Sequence, residues 1–145
     1  MMNEPLSSIM TRDVVTVGPD IKLSVVKDLL FDTGYHHLPV VEGPNKKLVG
    51  ILTSYDLLKS GKTFAEYDHI LVREVMTTKV AHLGPREKIG AAAQVFLRKL
   101  FHGLPIVNDD HELVGIVTTH DILRYEFDKE YPGDRLEKLL RADEA

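Results

Sequence analysis

Two short segments of this chain place a hydroxyl and a carboxylate at a spacing that can do chemistry: Thr53-x-x-Asp56 and Thr118-x-x-Asp121. A threonine opening a helix can accept from the backbone N–H three residues on, and an acidic residue there can return the bond, forming a capping box. The same geometry suits a ligand. A helix start offers free N–H groups and the positive end of a dipole to a phosphate. A carboxylate in the first turn can accept hydrogen bonds from the two neighbouring hydroxyls of a ribose. Spacing alone does not separate capping from binding, and the two are compatible.

Histidines stand nearby. His36 and His102 each precede a proline-containing apolar segment, and His120 directly precedes Asp121, where the other copy has Tyr55. An imidazole can donate to a phosphate oxygen; a structural or surface histidine is the plain alternative. The chain has seven histidines, but no H-x-x-x-H or H-x-H spacing with a third ligand close by, so no metal site is expected. With no cysteine there is no disulfide, thiolate nucleophile or cysteine-based zinc site. No G-x-S-x-G elbow, Walker-type loop or dinucleotide-binding glycine motif occurs, so an enzyme is not expected.

These residues recur because the sequence is written twice. IMTRDVVTVGPD (9–20) returns as VMTTKVAHLGPR (75–86), YHHLPVV (35–41) as FHGLPIV (101–107), and LVGILTSYDLL (48–58) as LVGIVTTHDIL (113–123). The offset is 66 residues up to the first apolar strand of each copy and 65 after it, so one residue is lost in the intervening turn. Each copy reads as a short helical turn, an extended segment ending at Gly18-Pro19 or Gly84-Pro85, an amphipathic helix, two apolar strands and a second helix. The extended segments are Val14 to Val17 and Val80 to Leu83. The apolar stripes of the first helices are Val25, Val26, Leu29 and Leu30, and Ile89, Ala92, Ala93, Phe96 and Leu100. Gly34 suits a left-handed helix end; Leu100 occupies the aligned place, which predicts a different ending there. Pro39 and Pro105 call for an edge strand or a first-residue position.

The fold class that follows is α/β (α+β): two pseudo-twofold-related β-α-β-β-α repeats packed through their sheets. The repeats span 5–60 and 74–124, with a linker at 61–73 and a tail at 125–145 in which Leu136, Leu139 and Leu140 suggest a short amphipathic helix docked on the protein's own surface. A half of about 60 residues is marginal alone, so the halves are expected to bury surface against each other. The 145 residues carry a net charge of −4, which gives no electrostatic reason to expect a nucleic-acid footprint, and no apolar run is long enough to span a membrane. The N-terminus lacks the pattern of a signal peptide, and a cytoplasmic protein is the expectation.

The h-M-T start, the Gly-Pro, the h-P-V strand and the Gly-h-h-Thr-x-x-Asp segment, present in both copies and in the same order, resemble a tandem pair of cystathionine-β-synthase (CBS) domains. The resemblance covers residues 5 to 124 and implies a non-catalytic regulatory module that binds an adenine nucleotide in clefts between its repeats. No cofactor is required; the nucleotide is the regulatory ligand. The partners implied are an adenosine-containing small molecule, a second copy in a homodimer that buries helix faces, and an unknown regulated protein. The alternative is an interaction module with empty vestigial clefts. Carried over by the resemblance, one cleft combines Met10, Val15, Tyr35 and His36 with His102, Ile116, Thr118, His120 and Asp121. The other combines Met76, Ala81, Phe101 and His102 with His36, Ile51, Thr53, Tyr55 and Asp56. For Val15, Ala81, Ile51 and Ile116 core packing is the competing reading, whereas Tyr35 and Phe101 are placed to stack on a base. Arginine, common in the family before the helix aspartate, is replaced by Tyr55 and His120, which lack its bidentate fork. His120 and the larger Val15 favour the Asp121 cleft.

Overall fold

The structure is a computed structural model that describes residues 1–132. Helix α1 (Leu23–Thr33) leads into a hairpin of β1 (His37–Glu42) and β2 (Lys47–Thr53), then α2 (Ser54–Lys59). After a 3₁₀ segment at Phe64–His69 and the single turn α3 (Val72–Val75), the pattern repeats. The second half contains α4 (Ile89–Lys99), β3 (Gly103–Val107), β4 (Leu113–Thr118) and α5 (Thr119–Glu130). The two apolar strands of each copy pair as an antiparallel hairpin, from His37 opposite Thr53 to Glu42 opposite Lys47, and from Gly103 opposite Thr118 to Val107 opposite Leu113, with a register shift at Val40/Val41 and at Ile106/Val107. Helix α5 runs on to Glu130, through the start of the expected tail. The amphipathic helix expected at Leu136 to Leu140 lies outside the described residues.

The extended segments expected as first strands, 14–17 and 80–83, form only one parallel bridge each, Val17 with Val40 and Leu83 with Ile106. Proline explains why. The Val17 N–H donates to the Pro39 carbonyl at 3.1 Å and the Val41 N–H to the Val17 carbonyl at 3.0 Å. The next rung back would need the N–H of Pro39, which does not exist. Pro105 stops the second ladder in the same way, one rung back from the bonds of the Leu83 N–H to the Pro105 carbonyl and the Val107 N–H to the Leu83 carbonyl.

Each half closes its core with a segment borrowed from the other copy. Leu6 and Met10 pack with Ile89, Ala92, Phe96, Leu104, Ile106 and Val117 of the second half. Tyr67 of the linker and Val72, with Val75 and Met76 half-buried beside them, pack with Leu23, Val26, Leu30, Leu38 and Leu52 of the first. Backbone bridges fix the exchange: Thr11 pairs with Ile116, and Thr77 with Ile51. The halves also join at their hairpin turns, where the Leu48 N–H donates to the His111 carbonyl (3.1 Å) and the Leu113 N–H to the Lys46 carbonyl (2.9 Å). A small core of Leu48, Val107 and Leu113 seals that end.

Two expectations for the amphipathic helices need correction. Val25 is exposed, so the α1 stripe is Leu23, Val26 and Leu30, with Leu29 half-buried. Leu100 is not part of the α4 stripe, and that helix does not end differently from α1. Gly34 closes α1 at φ 73°, and Leu100 closes α4 at φ 57°, in the same left-handed region and 80% exposed. The 66-residue offset preserves the backbone where the residue type does not suit it. A leucine there is strained, and glycine is not. Leu100→Gly, which removes no packing, is expected to stabilise the protein by about 0.5–1 kcal/mol after the unfolded-state entropy of glycine is subtracted. Thermal denaturation would register this as a rise of about 2–3 °C.

Candidate functional site

The hairpin registers determine where the candidate residues meet. His37 opposes Thr53, and Gly103 opposes Thr118. The His37 ring lies over Gly103, so close that a Cβ there would come within 3.1 Å of it. Both hairpins therefore present the same end to a shared seam. That end carries Tyr35, His36 and His37 from one copy, Phe101 and His102 from the other, and the starts of α2 and α5. The His102 carbonyl accepts from the Thr119 N–H at 3.0 Å, tying the second copy's pre-strand loop to the start of α5. Tyr35, His36, Phe101, His102, Tyr55 and His120 are all exposed.

Both Thr-x-x-Asp segments form complete capping boxes. The Thr53 N–H donates to Asp56 Oδ2 at 2.9 Å, and the Asp56 N–H donates to Thr53 Oγ1 at 3.3 Å. The corresponding distances for Thr118 and Asp121 are 2.8 and 3.3 Å. Each threonine hydroxyl also donates to the same carboxylate oxygen, at 3.1 Å. The aspartates differ in what remains. Asp56 is 6% exposed, and its Oδ1 accepts a 3.0 Å bond from the Thr77 hydroxyl. Asp121 is half-buried, and among the described residues no protein group donates to its Oδ1.

The Thr11–Ile116 and Thr77–Ile51 bridges lay the start of each copy along the hairpin of the other, so Met10 adjoins Ile116 and Met76 adjoins Ile51. The methionine side chains turn towards glycine. Met10 is 8% exposed and sits on Gly115, and Met76 sits on Gly50. Ile116 is buried, Val15 and Ile51 are half-buried, and Ala81 is exposed. Val15 packs against the first core. Among the described residues no group of His, Asp or Glu is arranged to hold a metal ion, and no helix is long and apolar enough to cross a membrane.

His37 carries one faint signal in the sequence: glycine stands at the aligned position, and that leaves room for its imidazole between the copies. Burial depresses the pKa of His37 below its ordinary 6.5, and the neighbouring His102 and His36 push the same way. The charged form is thus disfavoured in the folded protein, which binds fewer protons here than the unfolded chain. This contribution to stability is whole above pH 6.5 and is lost as the pH falls below 6.5 towards the depressed folded value. A melting temperature that drops between pH 7.5 and 5.5, by less in His37→Gln than in the parent, is the expected result.

The CBS domain family matches the chain twice, at residues 6–62 and 72–128. The chain belongs to the CBS-domain family. An uncharacterized protein of Methanocaldococcus jannaschii, MJ0188, is 34% identical over 142 residues, covering 97% of this chain and 50% of its own length. The chain spans about half the length, or less, of the first curated relatives it matches. The crystal structure of CBSX2 in complex with AMP aligns with a TM-score of 0.78 at 25% identity, covering 88% of this chain and 98% of that one. The CBS domain pair of MJ0100, in complex with 5′-methylthioadenosine and S-adenosyl-L-methionine, aligns at 0.75 and 28% identity, with the same coverage of 88% and 98%. The CBS pair of this chain thus shares its two-repeat arrangement with modules that hold adenosine compounds.

Proposed function

We propose that this CBS pair is a non-catalytic regulatory module that binds an adenosine-containing ligand in the Asp121 cleft and passes the resulting change to a partner protein. The observation that carries the reading is the half-buried Asp121 carboxylate, capped through one oxygen while the other has no protein donor among the described residues. At the start of a twelve-residue helix, such an oxygen suits a ribose hydroxyl, and the helix start suits a phosphate. His36, His102 and His120 add imidazole donors, and Tyr35 adds an aromatic face. The adenosine compounds held by CBSX2 and the MJ0100 pair support this ligand class.

Ligand binding changes a partner only through a difference in affinity between two arrangements of the module. The seam between the halves is where such a difference can act, because each half's core includes a segment of the other copy. We place the module in the cytoplasm as a homodimer. Leu58 and Leu123, at equivalent positions on α2 and α5, are 81% and 67% exposed, and Phe127 and Tyr131 extend the apolar surface at the end of α5. Light scattering is expected to give twice the chain mass.

A thermal-shift screen against AMP, ADP, ATP and S-adenosylmethionine tests the ligand reading. A ligand at 100 times its Kd stabilises the folded state by about 2.7 kcal/mol, a rise of roughly 5–10 °C for a chain of this size. An unchanged melting temperature with all four would favour the module with vestigial clefts.

A further inference from the structure

We infer that Thr77 is a specificity-determining residue that withdraws the Asp56 cleft from ligand, so that two clefts built from a duplicated sequence bind unequally. This inference rests on the reading of the Asp121 cleft as an adenosine site. Thr77 and Thr11 occupy equivalent backbone positions. Each exchanges two backbone bonds with an isoleucine of the opposite hairpin, Thr77 with Ile51 at 2.9 and 3.0 Å and Thr11 with Ile116 at 2.9 and 2.9 Å. Only the Thr77 hydroxyl reaches its aspartate, donating to Asp56 Oδ1 at 3.0 Å. Among the described residues no hydrogen bond joins Thr11 to Asp121.

Asp56 is therefore satisfied on both oxygens, by Thr53 on Oδ2 and Thr77 on Oδ1. Burial reinforces the lock. Helix α2 is six residues long, and the chain then folds back so that Ile70, Glu74 and Val75 line a depression with Asp56. In the second copy α5 continues for twelve residues, and Asp121 stays half-buried. A ribose hydroxyl arriving at Asp56 would have to displace a bond already made, exchanging one hydrogen bond for another with little net gain. At Asp121 it would add a bond to an oxygen without a protein donor. The Thr77 hydroxyl thus stands where a ribose hydroxyl would.

Thr77→Val removes the hydroxyl and keeps the branched shape. Titration calorimetry with AMP, ATP and S-adenosylmethionine in turn is expected to show one site per chain in the parent protein. In Thr77→Val a second site should appear, with an affinity within about tenfold of the first, and Asp56→Ala added to that variant should remove the second site alone. Thr77→Ser, which restores a hydroxyl, should return the stoichiometry to one. Because Asp56 is buried, melting curves without ligand accompany each titration. Should Thr77→Val not fold, Thr77→Ser binding a second equivalent would still overturn the inference, and its retaining a single site would support it. Two equal sites in the parent, or one unchanged site in a folded Thr77→Val, overturns the inference while the Asp121 reading stands. No binding to either protein removes both.

Discussion

Asp121→Ala is expected to weaken binding of an adenosine ligand by at least tenfold and up to about a hundredfold. The substitution removes a hydrogen bond to a charged acceptor, worth about 1.5–3 kcal/mol, and each 1.4 kcal/mol is a factor of ten. It also deletes half of a capping box, because Asp121 Oδ2 accepts from the Thr118 N–H at 2.8 Å. Loss of that cap should cost about 1 kcal/mol of stability without ligand, so melting temperature and affinity have to be measured together. Asp56→Ala should show the opposite balance. Its carboxylate is buried and bonded to Thr53 and Thr77, so stability falls more and affinity changes little. If Asp56→Ala abolished binding and Asp121→Ala left it intact, the preference between the clefts would be reversed.

Gly115→Ala and Gly50→Ala should each destabilise the fold by about 1–3 kcal/mol, the range for overpacking a filled site. A Cβ on Gly115 would lie 2.7 Å from Met10 Sδ and 3.0 Å from the Thr11 carbonyl oxygen. On Gly50 it would lie 2.6 Å from Met76 Sδ and 3.0 Å from the Thr77 carbonyl oxygen. A thioether can move aside, but the carbonyl belongs to the backbone that bridges the two copies. Loosening Met10 to alanine in the Gly115→Ala protein should therefore recover only part of the loss, a coupling that a double-mutant cycle reads directly. Melting temperatures about 3–10 °C below the parent are expected. An unshifted melting curve would mean that the first segment of one copy does not lie on the hairpin of the other.

The capping boxes and the hairpin strands were legible because each rests on neighbours close in sequence. The single bridges at Val17 and Leu83 were not, since the obstacle is a missing N–H on Pro39 and Pro105 more than twenty residues away. Gly50 and Gly115 did carry a signal: an isolated glycine in an apolar strand often marks a close backbone approach. Here that approach is the crossing of Met76 and Met10. Leu100 misled in the other direction, because its side chain argues against the left-handed backbone that the duplicated architecture imposes.

The candidate site reads in the sequence as two Thr-x-x-Asp segments. Both copies contain Met-Thr at the start and Thr-x-x-Asp at the end, and only flanking residues such as Tyr55 against His120 and Ala81 against Val15 distinguish Asp56 from Asp121 there. The difference arises in three dimensions, from the orientation of one threonine hydroxyl and the depth at which each carboxylate lies. His37 belongs to the same class: its aligned partner is glycine, and only the packing of the two copies shows the ring lying over Gly103.

The most direct test of the central claim is a ¹H–¹⁵N spectrum of the intact protein titrated with AMP, ATP and S-adenosylmethionine. The account predicts saturable shifts for at least one of them, concentrated on the amides of His36, His102, Thr118, Thr119 and Asp121, with smaller changes at Thr53 and Asp56. Shifts centred on Asp56, or no saturable shift at millimolar concentrations of any of the three, would contradict it.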